Sequence, residues 1–203
     1  MNLPAKLAVF ISGGGTNLQA LIDSAKAGRL SAQIGLVVSS RNDAYGLVRA
    51  QNEGISTFVY RAQDYQTPDE GTEHLLHILE EYDIEYIALA GYLKMIPLAV
   101  IRKYKDRIVN IHPALLPRYG GKGMYGHFVH EAVLASGDRE SGATVHIVDE
   151  IYDHGRILMQ KKVPVNPGDT PDSLAERILA VEHQIYSEAL EQLIKGNIKS
   201  WKK

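Results

Sequence analysis

The stretch IVNIHPALLPRYGG, residues 108–121, carries Asn110 and His112 inside an apolar run. An amide and an imidazole are groups that can stabilise or transfer charge at a reacting atom. Alternate side chains of a strand project to the same face, so these two groups are expected to be neighbours. Two interpretations are open at this point: the pair satisfies itself in a core, or it faces a site.

A histidine that takes part in catalysis needs an orienting partner, and Asp153 in the stretch IYDHG is the best candidate. Gly155 permits a sharp turn, and the flanking strands would return the turn toward the edge of the sheet. The alternative interpretation of Asp153 is an ordinary turn residue.

The stretch FISGGGTNLQALI passes from a strand through three glycines into a helix. This arrangement points free backbone N–H groups at an anion, and Thr16 and Asn17 can add side-chain donors. A dinucleotide fingerprint would need a third Gly where Leu18 stands, and a triphosphate loop would need a Lys after the glycines. We therefore expect a phosphate monoester to bind here, the alternative being a glycine turn in which Thr16 or Asn17 only caps the helix.

The elements that must position these residues follow from the alternation of short apolar runs with amphipathic stretches. Strands are expected at KLAVFIS, QIGLVVSS, STFVY, IEYIALAGY and RIVNIHP, and helices over 16–27, over 44–52 and from Pro68 onward. This alternation is typical of a parallel sheet with crossover helices. Farther along, GATVHIVDE and RILMQKKVPV indicate a hairpin-like strand pair, and the last helix is expected over 171–195.

We therefore predict a single α/β domain over residues 1–203. It is Rossmann-like, with a mostly parallel twisted sheet, helices on both faces and an antiparallel C-terminal strand pair. Asn110 and His112 then lie at the carboxyl end of a strand, where open α/β sheets bind ligands, and the glycine loop is expected at the same edge. Residues 120–126 are expected to form a surface loop.

Composition excludes several classes of function. With 203 residues and a formal net charge of -2, the chain has no global basic field for nucleic acid or anionic membranes. It contains no cysteine, so disulfides and thiolate metal sites are excluded. The N-terminal apolar run is too short for a signal sequence, and no later run approaches membrane-spanning length. We expect a soluble cytoplasmic protein.

Three further histidines require interpretation. His127 and His130 stand three residues apart beside Glu131, but they lack the H-E-x-x-H order and an obvious further ligand. We expect a solvated helix start there and no metal. His146, in TVHIVDE, is expected to be either a core residue or a supporting residue of the site.

Four motifs, in this order and spacing, resemble the phosphoribosylglycinamide formyltransferase family: ISGGGTNLQALI, LAGYLKMI, NIHPALLPRY and GATVHIVDEIYDHGRILMQ. The resemblance extends from about Ala5 to about Leu190. The Asn-x-His-Pro-x-Leu-Leu-Pro stretch and the Asp-x-Gly turn are shared by the wider formyltetrahydrofolate enzymes, whereas the glycine loop and the single-domain length indicate a ribonucleotide acceptor. It implies transfer of the formyl group of 10-formyltetrahydrofolate to the amine of glycinamide ribonucleotide, a step of purine synthesis.

The resemblance also assigns residues to roles. The implied catalytic residues are Asn110, His112 and Asp153. The implied phosphate and ribonucleotide contacts, mostly in the N-terminal half, are Gly15, Thr16, Asn17 and, on the last helix, Glu182. The implied folate pocket is completed by the C-terminal half and includes Asn110, Leu93, Lys94, Met95 and Ile96.

These residue types suit formyl transfer. An amine that attacks a formyl carbon produces an oxyanion, which the Asn110 amide and a protonated His112 would stabilise. Asp153 would orient His112 and relay the proton of the amine to the leaving nitrogen through water. This chemistry requires no metal, and 10-formyltetrahydrofolate is its co-substrate.

Other functions remain open. A formyltetrahydrofolate hydrolase usually carries an extra N-terminal domain and a transfer-RNA formyltransferase a further C-terminal one, and we expect neither here. A transferase acting on another amine is a further alternative. A non-catalytic sugar-phosphate binding module would use the glycine loop but would not need Asn110, His112 and Asp153 together. The sequence does not decide between a monomer and a homodimer.

Overall fold

The first unit of the fold alternates strands and helices along the chain. The computed structural model describes residues 3–197 and divides the chain into the units Met1–Ile108 and Val109–Lys203. The strands of the first unit are β1 (Ala5–Ile11), β2 (Ala32–Ser39), β3 (Ser56–Val59) and β4 (Tyr86–Leu89). Its helices are α1 (Thr16–Lys26), α2 (Tyr45–Asn52), α3 (Pro68–Glu81) and α4 (Leu98–Lys103), with a short 3-10 helix at Ala62–Asp64.

All strand pairs within this unit are parallel, as predicted. Strand β1 pairs with β2 on one side and β4 on the other, and β2 also pairs with β3. Residues 7–11 of β1 are completely buried, which is typical of a parallel strand with helices over both faces. Helix α3 begins where Pro68 predicts, and the Thr67 side chain accepts the N–H of Glu70 as its cap.

The second unit is antiparallel. Strand β5 (Ile108–His112) begins at the last residue of the first unit, and β6 (Glu140–Ile147) and β7 (Ile157–Pro164) follow it. The predicted β6–β7 pair is confirmed, and β6 also runs antiparallel to β5. Two helices complete the unit, α5 (His127–Ser136) and α6 (Pro171–Ile194).

Helix α6 closes this unit with one apolar face. Thr170 and Ser173 form a capping box at its start, and the long helix ends one residue before the predicted boundary. The buried side chains recur at helical spacing: Leu174, Ile178, Ile185, Tyr186 and Leu190. The buried Tyr186 hydroxyl donates to the Val109 carbonyl at 3.2 Å, so the helix is tied to β5.

Across residues 3–197, no helix combines the length and the apolar character needed to cross a bilayer. The prediction of one domain over the whole chain stays a prediction, because the two units are defined separately.

Candidate active site

The Asp153 carboxylate is the centre of the candidate site. It lies in the turn between β6 and β7, with φ of 53° and a side chain only 11% exposed. Oδ2 accepts the Gly121 amide at 2.9 Å and lies 3.6 Å from His112 Nδ1. Oδ1 lies 3.4 Å from Asn110 Nδ2 and 3.5 Å from His146 Nε2. The structure thus brings the three predicted catalytic residues together and adds His146 to them.

The strand register explains this convergence. In the β5–β6 pair, Asn110 stands opposite His146 and His112 opposite Thr144, so all four side chains belong to one neighbourhood of the sheet. Asn110 and His112, two residues apart on β5, both point to Asp153, as strand alternation predicts. Gly155 allows the turn to close here, because a Cβ at this position would lie 1.9 Å from the Ile147 carbonyl oxygen.

His146 is a supporting residue of the site. Its Nδ1 lies 2.9 Å from the Ile147 carbonyl, which can only accept, so Nδ1 carries a proton. In the neutral ring, Nε2 is then an acceptor for the Asn110 amide at 3.1 Å. This bond fixes the orientation of Asn110, so His146 is buried like a core residue and also contacts the candidate site.

His112 lies between the Tyr119 carbonyl and the Asp153 carboxylate. Its Nε2 donates to the Tyr119 carbonyl at 2.7 Å, so Nδ1 is the nitrogen that faces Asp153. Burial lowers the pKa of His112, and the charge of Asp153 and the Tyr119 carbonyl oppose this effect without reversing it. The resting ring is therefore neutral, and its protonation becomes favourable when negative charge forms beside it.

Asp153 remains ionised in this setting. Burial alone raises its pKa, but the neighbouring His146 and His112 rings and the Gly121 amide together lower it below its usual range. A buried carboxylate beside two imidazoles and an amide is an arrangement that can accept, hold and return a proton.

Residues 119–121 contact the site through their main chain, which the sequence did not predict. The Tyr119 carbonyl and the Gly121 amide bind His112 and Asp153. Between them, a Cβ on Gly120 would lie 2.5 Å from a Leu116 methyl and 3.1 Å from the Asp153 Cβ. The predicted surface loop over 120–126 therefore begins with two half-buried residues packed on the site.

Thr144 fixes the chain where it leaves β5. Its buried hydroxyl donates to the Ala114 carbonyl at 2.5 Å and accepts the Leu116 amide at 3.1 Å. The Gln160 side chain binds both the same hydroxyl, at 2.8 Å, and the Leu116 carbonyl, at 3.0 Å.

The glycine loop in the first unit makes a tight turn into α1 and packs against α2. Gly15 has φ of 71°, and a Cβ there would lie 2.7 Å from Gly46 Cα. The carbonyl of Gly14 accepts Arg49 Nε at 2.8 Å, and that of Gly13 accepts the Gly46 amide at 3.0 Å. Helix α2 thus holds the loop through two of the loop's carbonyl groups. Gly46 and Arg49 are contacts that the sequence reasoning missed.

Helix α1 begins at Thr16, with Gly15 as its N-cap. Neither Thr16 nor Asn17 is therefore the cap, contrary to the alternative interpretation. Thr16 is exposed at the first turn and Asn17 is buried behind it, so only Thr16 presents its side chain to the surface.

The predicted folate segment, residues 93–96, is partly exposed and anchored to β1. Leu93 and Met95 are 53% and 50% exposed, whereas Ile96 is buried in the core and Lys94 points to solvent. The Leu93 amide donates to Ser12 Oγ at 2.8 Å, and Ser12 bonds to Ser40 at 2.6 Å. Two exposed apolar side chains on a fixed backbone suit an apolar ring, and Ile96 would support them from beneath.

Glu182 lies on α6 with its side chain 7% exposed. One turn later, burial raises the pKa of Tyr186 well above its ordinary value, and the charge of Glu182 adds to the effect. Contact of Glu182 with a ribose stays a prediction.

Of the two histidines of α5, His127 matches the expectation of a solvated helix start and His130 does not. His127 is exposed, 3.4 Å from Glu131 and 3.5 Å from Asp172. His130 is only 4% exposed, and its Nδ1 is buried without a hydrogen-bond partner, so the expectation is wrong for this residue. Val133, three residues later on the same face of the helix, is also buried. Within the described residues, no cluster of His, Cys, Asp and Glu has a geometry that could hold a metal ion.

The chain is similar to known proteins over nearly its whole length. A model of the formyl transferase family matches residues 5–190. The chain is 35% identical to phosphoribosylglycinamide formyltransferase of Escherichia coli (strain K12), covering 95% of this chain and 89% of that protein. It is 43% identical to the chloroplastic phosphoribosylglycinamide formyltransferase of Vigna unguiculata, covering 98% of this chain but only 63% of the relative's length.

The fold class is confirmed by a solved structure. Glycinamide ribonucleotide transformylase 1 of Symbiobacterium toebii aligns with a TM-score of 0.90 at 36% identity, covering 97% of this chain and 90% of that one. Because the alignment covers nearly the whole chain, the similarity is not confined to isolated motifs. The chain therefore belongs to the formyl transferase family, in its phosphoribosylglycinamide formyltransferase branch.

Proposed function

We propose that this protein transfers the formyl group of 10-formyltetrahydrofolate to the amine of glycinamide ribonucleotide, in the cytoplasm, as a step of purine biosynthesis toward IMP. The observation that carries the proposal is the convergence of Asn110 and His112 on the ionised Asp153. The relatives named for this activity support the choice of acceptor.

In the proposed reaction, the amine nitrogen attacks the formyl carbon, and the carbonyl electron pair moves to oxygen. Asn110 and His112 stabilise the resulting oxyanion, and its negative charge favours the protonation of His112 that burial otherwise opposes. The bond between the formyl carbon and the folate N10 then breaks, so the carbon exchanges one C–N bond for another.

A proton must move from the attacking amine to the leaving N10. The Asp153 carboxylate is the group placed to relay this proton through water, because it is ionised and contacts the donors that hold the oxyanion. The products are the formylated ribonucleotide and tetrahydrofolate, and the step needs no oxidant or reductant.

Binding is assigned to separate groups. We assign the substrate phosphate to the amides of the loop at Gly15, with Thr16 and Asn17, and the ribose to Glu182. We assign the folate to the segment 93–96, whose Leu93 and Met95 are exposed apolar side chains. All these substrates are small molecules.

The decisive experiment follows the absorbance of a 10-formylfolate donor with and without glycinamide ribonucleotide. Loss of the formyl group only with the ribonucleotide supports the transferase. Loss without it would indicate a hydrolase. If neither mixture reacts, an acceptor panel of other amines tests for a different transferase. Phosphate-dependent binding that is unchanged by His112→Ala would indicate a sugar-phosphate binding module.

A further inference from the structure

Tyr119 has a backbone conformation that its side chain disfavours. Its φ is 58°, in the left-handed region that bulky residues rarely adopt. Such a conformation persists only where surrounding contacts hold it. The two following residues are glycines, yet the left-handed position falls on the tyrosine.

The Tyr119 hydroxyl is anchored at the far end of α5. It lies 2.6 Å from Asp138 Oδ2 and 2.5 Å from Ser136 Oγ, and it accepts Arg118 Nη2 at 3.1 Å. Arg118 also forms an ion pair with Asp138 at 2.8 Å. The hydrogen bond from Tyr119 lowers the pKa of Asp138, so the anchor is a carboxylate.

The main chain of the same segment binds the catalytic pair. The Tyr119 carbonyl accepts His112 Nε2 at 2.7 Å, and the Gly121 amide donates to Asp153 Oδ2 at 2.9 Å. A change in the backbone of residues 119–121 would move both partners at once. The side chain that sets this backbone is Tyr119, through a hydroxyl that contacts neither His112 nor Asp153.

We propose that Tyr119 is a positioning residue, whose hydroxyl on Asp138 holds residues 119–121 so that their main chain orients His112 and Asp153 for catalysis. This inference rests on the proposed function. It explains why His112 keeps its proton on Nε2: the carbonyl there can only accept, so proton exchange is confined to Nδ1, the nitrogen beside Asp153.

The anchor has a measurable consequence for His112. The ionisable groups around this ring are Asp153, His146 and, from α5, His130. Of the groups that raise the His112 pKa, only the Tyr119 carbonyl belongs to the anchored segment. When the anchor is lost and this carbonyl moves away, the pKa of His112 is expected to fall further.

The test replaces Tyr119 with Phe, which keeps the ring and removes the hydroxyl. We expect kcat to fall about 10- to 100-fold, as for a small misplacement of catalytic groups, with the KM of both substrates nearly unchanged. Titration of the His112 imidazole by NMR, in protein without substrate, should show a lower pKa than in the parent.

Tyr125→Phe is the matched control, because it removes one hydroxyl from the same loop. Tyr125 is exposed and packs edge to face on Phe128 at 5.5 Å. This control should keep kcat within about twofold. Asp138→Asn keeps an acceptor for the Tyr119 hydroxyl and should retain most activity, whereas Asp138→Ala should reproduce the Tyr119→Phe defect.

If Asp138→Ala and Tyr119→Phe break the same contact, their effects on kcat should be non-additive in the double variant. Parental kcat and an unchanged His112 pKa in Tyr119→Phe would overturn the inference, as would a defect confined to KM. If Tyr119→Phe does not fold, the same kinetic and NMR measurements on Asp138→Ala test the inference, because this variant removes the partner of the hydroxyl and leaves Tyr119 in place. Failure of the parent to transfer formyl would refute the proposed function, and the NMR titration would still decide the positioning of His112.

Discussion

The glycine loop and the Asp153 cluster are built in opposite ways. The loop offers main-chain groups at an exposed turn, and no atom lies within 4 Å of a Cβ placed on Gly13 or Gly14. The Asp153 cluster consists of side chains that are nearly buried and bonded to one another. A phosphate can be bound by shape and backbone dipoles, whereas moving charge during a reaction requires partnered groups away from water. We therefore expect changes in the loop to alter binding and changes in the cluster to alter turnover.

The largest effect is expected from Asp153→Asn. Asparagine tolerates the left-handed backbone of this position and keeps an oxygen for the Gly121 amide, so the substitution removes mainly the charge. We expect kcat to fall about 10²- to 10⁴-fold with little change in KM. Steady-state kinetics and circular dichroism check this, with Asp149→Asn in the same turn as the control. Parental kcat would refute the role of the carboxylate.

Asn110→Ala should have the next largest effect. It removes the amide that we assign to the oxyanion and leaves His146 Nε2 without its donor. Loss of one such donor costs about 10²- to 10³-fold in kcat, and substrate affinity should change far less. An effect on KM alone would mean that Asn110 contributes to substrate binding, and would contradict the expectation that changes in the Asp153 cluster alter turnover.

The burial of His130 on α5 should make the stability of the protein depend on pH. Burial lowers the pKa of His130 from 6.5 to about 4. The unfolded ring gains its proton below about 6.5, and the folded ring only near 4, so stability present at neutral pH is lost as the pH falls through this window. The contribution is at most about 3 kcal/mol.

Urea unfolding at pH 7.5 and pH 4.5 measures this effect. His130→Leu should reduce the difference between the two conditions, and part should persist because burial also lowers the pKa of His112. His127→Gln, which changes an exposed ring on the same helix, is the control. An identical pH dependence in His130→Leu and the parent would show that His130 is not the cause.

The smallest effect is expected in the loop, from Gly15→Ala. The added Cβ would meet Gly46 Cα at 2.7 Å in a backbone with φ of 71°, which should cost about 1–3 kcal/mol of stability. The KM for the ribonucleotide should rise while kcat at saturation stays within about twofold. Gly13→Ala, which meets nothing within 4 Å, should change neither. A loss confined to kcat would contradict the assignment of the loop to binding.

Sequence reasoning predicted what depends on local periodicity. Strand alternation placed Asn110 and His112 on one face, and Gly155 indicated the turn that carries Asp153. The boundaries of α1 and α6 and the start of α3 follow from glycine and proline signals and lie within one residue of expectation. Such features are fixed by residues close in the chain.

What the sequence did not predict depends on contacts between distant residues. The anchoring of Tyr119 on Asp138 joins positions 19 residues apart, and Arg49 reaches Gly14 across 35. The burial of His130 could have been predicted, because it stands three residues before Val133 on one helical face. The choice between core and site for His146 needed the β5–β6 register, which the hydrophobic pattern does not supply.

The Thr144 hydroxyl has a consequence for the time scale of motion after β5. The Leu116 amide lies in a connecting segment, yet it donates to a buried side-chain oxygen that Gln160 also holds. Its hydrogen should therefore exchange with solvent water at a rate typical of strand amides, while the amides of the exposed residues Lys122, Gly123, Tyr125 and Gly126 exchange rapidly. Fast motion of this loop is then expected only from residue 122 onward, and the segment between β5 and Pro117 should move only when the sheet itself opens.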